Sequence, residues 1–122
     1  MLTLIAACGN NTGSNGSSDS TASAAPATND VTTNPDYQKG LALIAANDCL
    51  TCHKVDEKVT EPAYRDVANK YENTPENVAK LADKVIKGGS GNWGTIPMTP
   101  HPALSEADAQ QMVKYILLLR NK

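Results

Sequence analysis

Phenylalanine is missing from this chain, and four tyrosines and one tryptophan make up its whole aromatic content. A core without phenylalanine is a thin one. A domain this small buries too little of its surface to be stable without a staple or a cofactor, so its apolar centre must come from elsewhere. Positive charge is missing from the amino-terminal part, since all 11 Lys and Arg lie at or after Lys39. Eleven of the 13 acidic residues lie at or after Asp36, so the chain from there on is formally neutral. It lacks the basic stripe that a nucleic-acid partner requires. No segment approaches the roughly 18 apolar residues of a membrane-crossing helix. No run of alternating β-branched and aromatic residues reads as a convincing strand.

Cysteine and histidine are also scarce, with three and two copies, yet three of the five stand together in Cys49-Leu50-Thr51-Cys52-His53. Two thiols three positions apart, followed at once by an imidazole, form the attachment pattern for a c-type haem. Both thiols can add across the two vinyl groups of one haem edge, and His53 is then carried under the iron as its proximal ligand. Two other chemistries share the residues. A thioredoxin-like dithiol needs the pair at a strand-to-helix junction, and no strand pattern precedes Cys49. A zinc site could draw on Cys49, Cys52, His53 and His101, but such a pair takes its partners at much closer spacing than His101.

The amino terminus divides into two stretches. Residues 1–8 form a short apolar run ending in Cys8, and Ile5-Ala6-Ala7-Cys8 resembles a bacterial lipobox in which Cys8 becomes lipidated. The run departs from a full secretory signal, which has a charged start and a longer apolar core. Residues 9–34 are Gly, Asn, Ser, Thr, Ala, Asp and Pro with one Val and no positive charge. They cannot bury enough apolar area to order themselves and read as a linker. A flexible coil of this length spans about 25–30 Å.

From residue 35 to 122 the pattern is helical. Asn34-Pro35 provides a cap and a first-turn proline, after which Tyr37, Leu41, Ile44 and Ala45 share one face. Gly40 interrupts that helix at a cost of about 1 kcal/mol relative to Ala, which marks close approach by another element. Glu61-Pro62 opens a second helix with Tyr64, Val67, Ala68 and Tyr71 inward. Thr74-Pro75 caps a third with the stripe Val78, Leu81, Ala82, Val85 and Ile86, stopped by Gly88-Gly89. Ser105 to Asp108 reads as a capping box for a last helix that turns Ala109, Met112, Val113, Ile116 and Leu117 inward. The expectation is an all-α domain of about four helices packed around one covalently bound haem c.

A haem iron held by His53 has a sixth position to fill. Met98 is the first candidate, because it sits in an irregular loop stiffened by Pro97 and Pro100. Met112 falls on the apolar face of the last helix and reads as core. His101, between two prolines, reads as an exposed loop residue and as the substitute if Met98 is lost.

The CLTCH motif, the short domain and the Pro-Met loop resemble a mono-haem class I bacterial cytochrome c, over roughly Asp36 to Lys122. Ile86 to Gly94 followed by Ile96-Pro97-Met98 is similar to the small bacterial members. The resemblance implies that the first and last helices cross with Gly40 against Tyr115. It implies that the Pro62 carbonyl accepts the proximal imidazole's proton, and that Trp93 donates to a haem propionate. Members usually carry Gly before that proline, where this chain has Glu61. With His53 and Met98 both bound, the iron has no open site for a substrate. The implied function is therefore not enzymatic. It is outer-sphere electron transfer by a respiratory shuttle between redox partners such as reductase and oxidase complexes. The shuttle is expected to be monomeric, outside the cytoplasmic membrane or periplasmic, and tied to the membrane only through Cys8. A ligand-binding or sensing haem protein, and a cytochrome subunit of a larger oxidoreductase, are the competing expectations.

Overall fold

The computed structural model describes residues 30–121, so Cys8 and almost all of the 9–34 linker lie outside the described residues. The described chain is helical. It opens with a 3-10 turn over Val31–Thr33, then α1 (Pro35–Ala46), α2 (Cys49–Cys52), α3 (Tyr64–Lys70), α4 (Pro75–Lys87) and α5 (Glu106–Leu118). Among the described residues there is no sheet, only isolated bridges between His53 and Lys58 and between Gly89 and Met98. No described helix is long and apolar enough to cross a membrane.

Local chemistry sets most helix ends. The Asn34 side chain accepts from the Asp36 amide at 2.8 Å, Thr74 Oγ1 from Asn77 at 3.3 Å, and Ser105 Oγ from Asp108 at 3.1 Å. Each satisfies an amide that a helix start leaves without a partner. Pro35 and Pro75 supply the first-turn φ at no hydrogen-bond cost. Gly88 ends α4 at φ +66°, a conformation other residues take only with strain.

Two differences from the sequence reading stand out. Residues 31–33 read as linker in the sequence, but Asp30 caps them into a turn, and Gln38 Nε2 donates back to the Thr32 carbonyl at 3.1 Å. The second long helix was expected to open at Glu61-Pro62, but α3 starts at Tyr64. The intervening backbone is used elsewhere: the Glu61 amide donates to the Cys52 carbonyl at 3.0 Å and the Pro62 carbonyl faces His53.

The last helix organises the core. One side of α5 (Met112, Tyr115, Ile116) joins Ile44, Tyr64 and Ala68 from α1 and α3. The other side (Ala109, Val113, Leu117) joins Val78 and Ala82 from α4. Ile44, Met112, Val113 and Leu117 are almost wholly buried, and each such side chain contributes about 1.5–3 kcal/mol. Gly40 is where α1 meets α5. A methyl there would run into Tyr115 Cβ and lie 2.6 Å from the Gln111 carbonyl oxygen. Gln111 Nε2 clips the crossing by donating to the Asp36 side chain at 3.0 Å and to its carbonyl at 3.2 Å. Arg65 Nη1 ties α3 to the end of α5 through the Leu119 carbonyl at 2.7 Å.

Candidate haem site

The short helix α2 brings Cys49 and Cys52 to one side of the domain, and His53 follows as its C-terminal cap. The His53 ring is buried, 8 % exposed, although it is polar. Two contacts hold it. Its Nδ1 lies 2.8 Å from the Pro62 carbonyl oxygen, which can accept only if Nδ1 carries the proton, leaving Nε2 with a free lone pair. Tyr64 stacks on the ring, with centroids 4.9 Å apart and planes 19° off parallel. Tyr64 in turn meets Tyr115 edge-on at 6.4 Å, and Tyr115 meets Tyr37 at 4.9 Å.

In front of His53 lies a cleft enclosing about 820 Å³ of space, its open mouth included. Its walls are mostly apolar: Ile44 from α1, Val67 from α3, Leu81 and Val85 from α4, Val113 and Ile116 from α5. Met98 and Trp93 line it from the 88–102 loop. That loop is held by reciprocal backbone bonds between Gly89 and Met98, both at 3.0 Å. Gly88 packs so closely that a methyl would run into the Met98 carbonyl oxygen. Lys84 and Glu61 are the charged groups on the cleft.

The environment of Cys49 does not activate its thiol. Burial, reinforced by the nearby Asp48 charge, pushes the Cys49 thiol above its ordinary range. A reactive dithiol needs the opposite shift. Burial, then the neighbouring Cys49, drives the Tyr64 phenol far above its usual range, so it stays neutral. The two cysteines form no disulfide with each other. No group of three or more His, Cys, Asp or Glu side chains among the described residues could hold a metal ion, which leaves the zinc alternative without a site.

A haem fits what remains. The cleft is lined by apolar side chains, has Cys49 on its wall with Cys52 three positions further on, and is also lined by His53, whose Nδ1 engages the Pro62 carbonyl and leaves Nε2 free to ligate. The model for the family described as Cytochrome c matches residues 37–120. The chain belongs to the cytochrome c family. It is 42% identical over 78 residues to cytochrome c-552 of Nitrosomonas europaea, covering 64% of this chain and 76% of that one. It is 38% identical over 87 residues to cytochrome c-551 of Allochromatium vinosum, covering 71% and 93%. The crystal structure of wild-type Nitrosomonas europaea cytochrome c552 superposes with a TM-score of 0.60 at 42% identity, covering 65% of this chain and 98% of that one. This cytochrome is thus a mono-haem class I member of the c-551/c-552 group, a group of electron carriers and not of enzymes. Its cofactor is covalent haem c, with Cys49 and Cys52 as the attachment pair.

Three features of this region have no signal in the sequence. Tyr64 was assigned to an inner helix face, with no sign that it would lie on His53. Lys70 stands 4.5 Å above the Trp93 ring and 5.5 Å above Tyr71, and its ammonium donates to the Asn92 carbonyl at 3.3 Å. His101, expected to be an exposed loop residue, keeps only 18% of its side chain exposed, and its Nε2 lies 3.0 Å from Asp48 Oδ1. No periodicity signals any of the three, because each joins segments far apart in sequence. Met112, expected in the core, is 1% exposed.

Proposed function

We propose that this cytochrome is a one-electron shuttle whose haem iron is held by His53 on the proximal side and by Met98 on the other. The observation that carries the reading is the His53 geometry: Nδ1 is engaged by the Pro62 carbonyl, and the free Nε2 borders a cleft that Met98 also lines. The carbonyl bond fixes the tautomer and makes Nε2 more basic. A thioether as the second ligand favours the ferrous state and raises the potential. When bound, the haem supplies the redox couple. The protein supplies a largely dry pocket and fixed ligands, and the Trp93 indole, at the cleft edge, donates to a haem propionate.

Held by His53 and Met98, the haem would have no site open to a substrate, so the chemistry it would supply is outer-sphere electron transfer. The partners are respiratory redox proteins outside the cytoplasmic membrane, in or facing the periplasm. The domain, residues 35–122, is anchored there by a lipidated Cys8 at the head of the 9–34 tether and works as a monomer. Optical spectroscopy of protein matured with haem tests the reading. The expected ferric spectrum carries a far-red methionine–iron band that Met98→Ala abolishes, and the ferrous form refuses carbon monoxide. A band that survives Met98→Ala, or rapid carbon monoxide binding, would sink it.

A further inference from the structure

Two polar or charged residues are buried among the described residues, His53 and Glu61, each 8 % exposed, and both line the haem cleft. His53 is accounted for; Glu61 is not. Among the described residues its carboxylate meets no hydrogen-bond donor and no ion-pair partner. A glutamate is almost never buried unless it is paired, so its place on this wall needs a cause. Its backbone is pinned to the haem-bearing residues on both sides. The Glu61 amide donates to the Cys52 carbonyl at 3.0 Å, and the next carbonyl, that of Pro62, lies 2.8 Å from His53 Nδ1. Glu61 therefore cannot leave the cleft without disturbing an attachment cysteine and the proximal imidazole.

We propose that Glu61 sets the potential of this cytochrome: its buried carboxylate stabilises the ferric state and lowers the midpoint. The inference rests on the one-electron reading above, and it requires the haem in the cleft but not Met98 on the iron. The sign follows from charge. A ferric iron–porphyrin core carries one more positive charge than a ferrous one, so a fixed negative charge beside it favours the ferric form. A mostly apolar wall strengthens the effect, because low local dielectric screens poorly. Lys84, the other charged group on the cleft, acts in the opposite sense, and no ion pair joins the two. No bond forms or breaks and no proton is needed; Glu61 shifts only the balance of the one-electron couple. A thioether ligand raises the potential. Glu61 offsets part of that rise and makes the ferrous carrier a stronger reductant toward its acceptor.

Spectroelectrochemical titration of the haem-loaded full-length protein tests this. Glu61→Gln removes the charge and keeps the shape, and it is expected to raise the midpoint potential with the far-red methionine–iron band intact. Lys84→Gln is expected to lower the potential. Glu57→Gln is the control, an exposed acid on the preceding loop, and should shift the potential less than Glu61→Gln. At an ionic strength of about 1 M, where screening sets in within ~3 Å, the Glu57 shift should vanish and the Glu61 shift persist. An unchanged or lower potential in Glu61→Gln, a shift lost at high salt, or a rise in Lys84→Gln overturns the proposal and leaves the His/Met reading standing. Loss of the far-red band in Glu61→Gln also overturns it, since the residue would then be structural. A wild-type protein without that band overturns the His/Met reading, while the Glu61 shift still decides the proposal. If Glu61→Gln does not accumulate, Glu61→Leu gives the same comparison.

Discussion

The two sides of the haem cleft are built by different means. On the proximal side, His53 is buried between the Pro62 carbonyl and the Tyr64 ring, and Tyr64 belongs to the cluster that joins α1, α3 and α5. Moving His53 means disturbing the core. On the other side, Met98 is only half-buried and sits in a loop of glycines and prolines. A two-residue backbone bridge and the close contact at Gly88 hold that loop. Interiors pack as densely as organic crystals and resist displacement, whereas a loop opens at the cost of a few hydrogen bonds. His53, the proposed proximal ligand, is thus a structural member of the domain, and Met98, the proposed second ligand, sits on the adjustable loop.

The comparison can be broken by striking each side where its support is narrowest. Gly40→Val has the largest expected effect, because its side chain must enter the space of Tyr115 Cβ and the Gln111 carbonyl. Overpacking of this kind costs typically 1–3 kcal/mol and occasionally more, so about 3 kcal/mol is expected. It should appear as a lower denaturant midpoint of the haem-loaded protein, with the far-red band intact in whatever remains folded. Selective loss of the band at unchanged stability would contradict the account of this crossing.

Gly88→Ala strikes the other side. It forces a side chain into φ +66° and against the Met98 carbonyl oxygen, with Pro100 N only 2.8 Å away. Backbone strain of this type costs about 1–3 kcal/mol. The loop can relieve much of it by opening, so the far-red band should weaken by more than global stability falls. An unchanged band with a full stability loss would show that the loop is as rigid as the core.

Lys70→Met sharpens the contrast with the least effect. It removes a cation from the Trp93 and Tyr71 faces, on an exposed lysine. Such contacts contribute about 0.5–1 kcal/mol at exposed sites. A midpoint shift within that range, with no change in spectrum, is expected by denaturation followed through Trp93 fluorescence. A large spectral change would instead make Lys70 part of the haem site.

Much of the fold was legible because its signals are local. The Asn34, Thr74 and Ser105 caps, the prolines after two of them, and the Gly88 stop act over four or five residues, and all set helix ends in the structure. The inward residues of α5 follow from 3.6-residue periodicity, which is equally local. The start of α3 was misread for the converse reason. Glu61-Pro62 has the composition of a helix opening, but its backbone groups are taken by Cys52 and His53.

By itself, then, the sequence determined the helices, their ends and the attachment motif, since each is encoded in residues that touch their own neighbours along the chain. It also named His53 and Met98 by chemical type. Only the tertiary structure decided what stands around them. Tyr64 lies on His53, Lys70 lies over Trp93, and the His101 ring turns to Asp48 across 53 positions of sequence. Such contacts depend on the path of the whole chain, which short-range propensities do not specify. They set His53 against the core and leave Met98 on a loop.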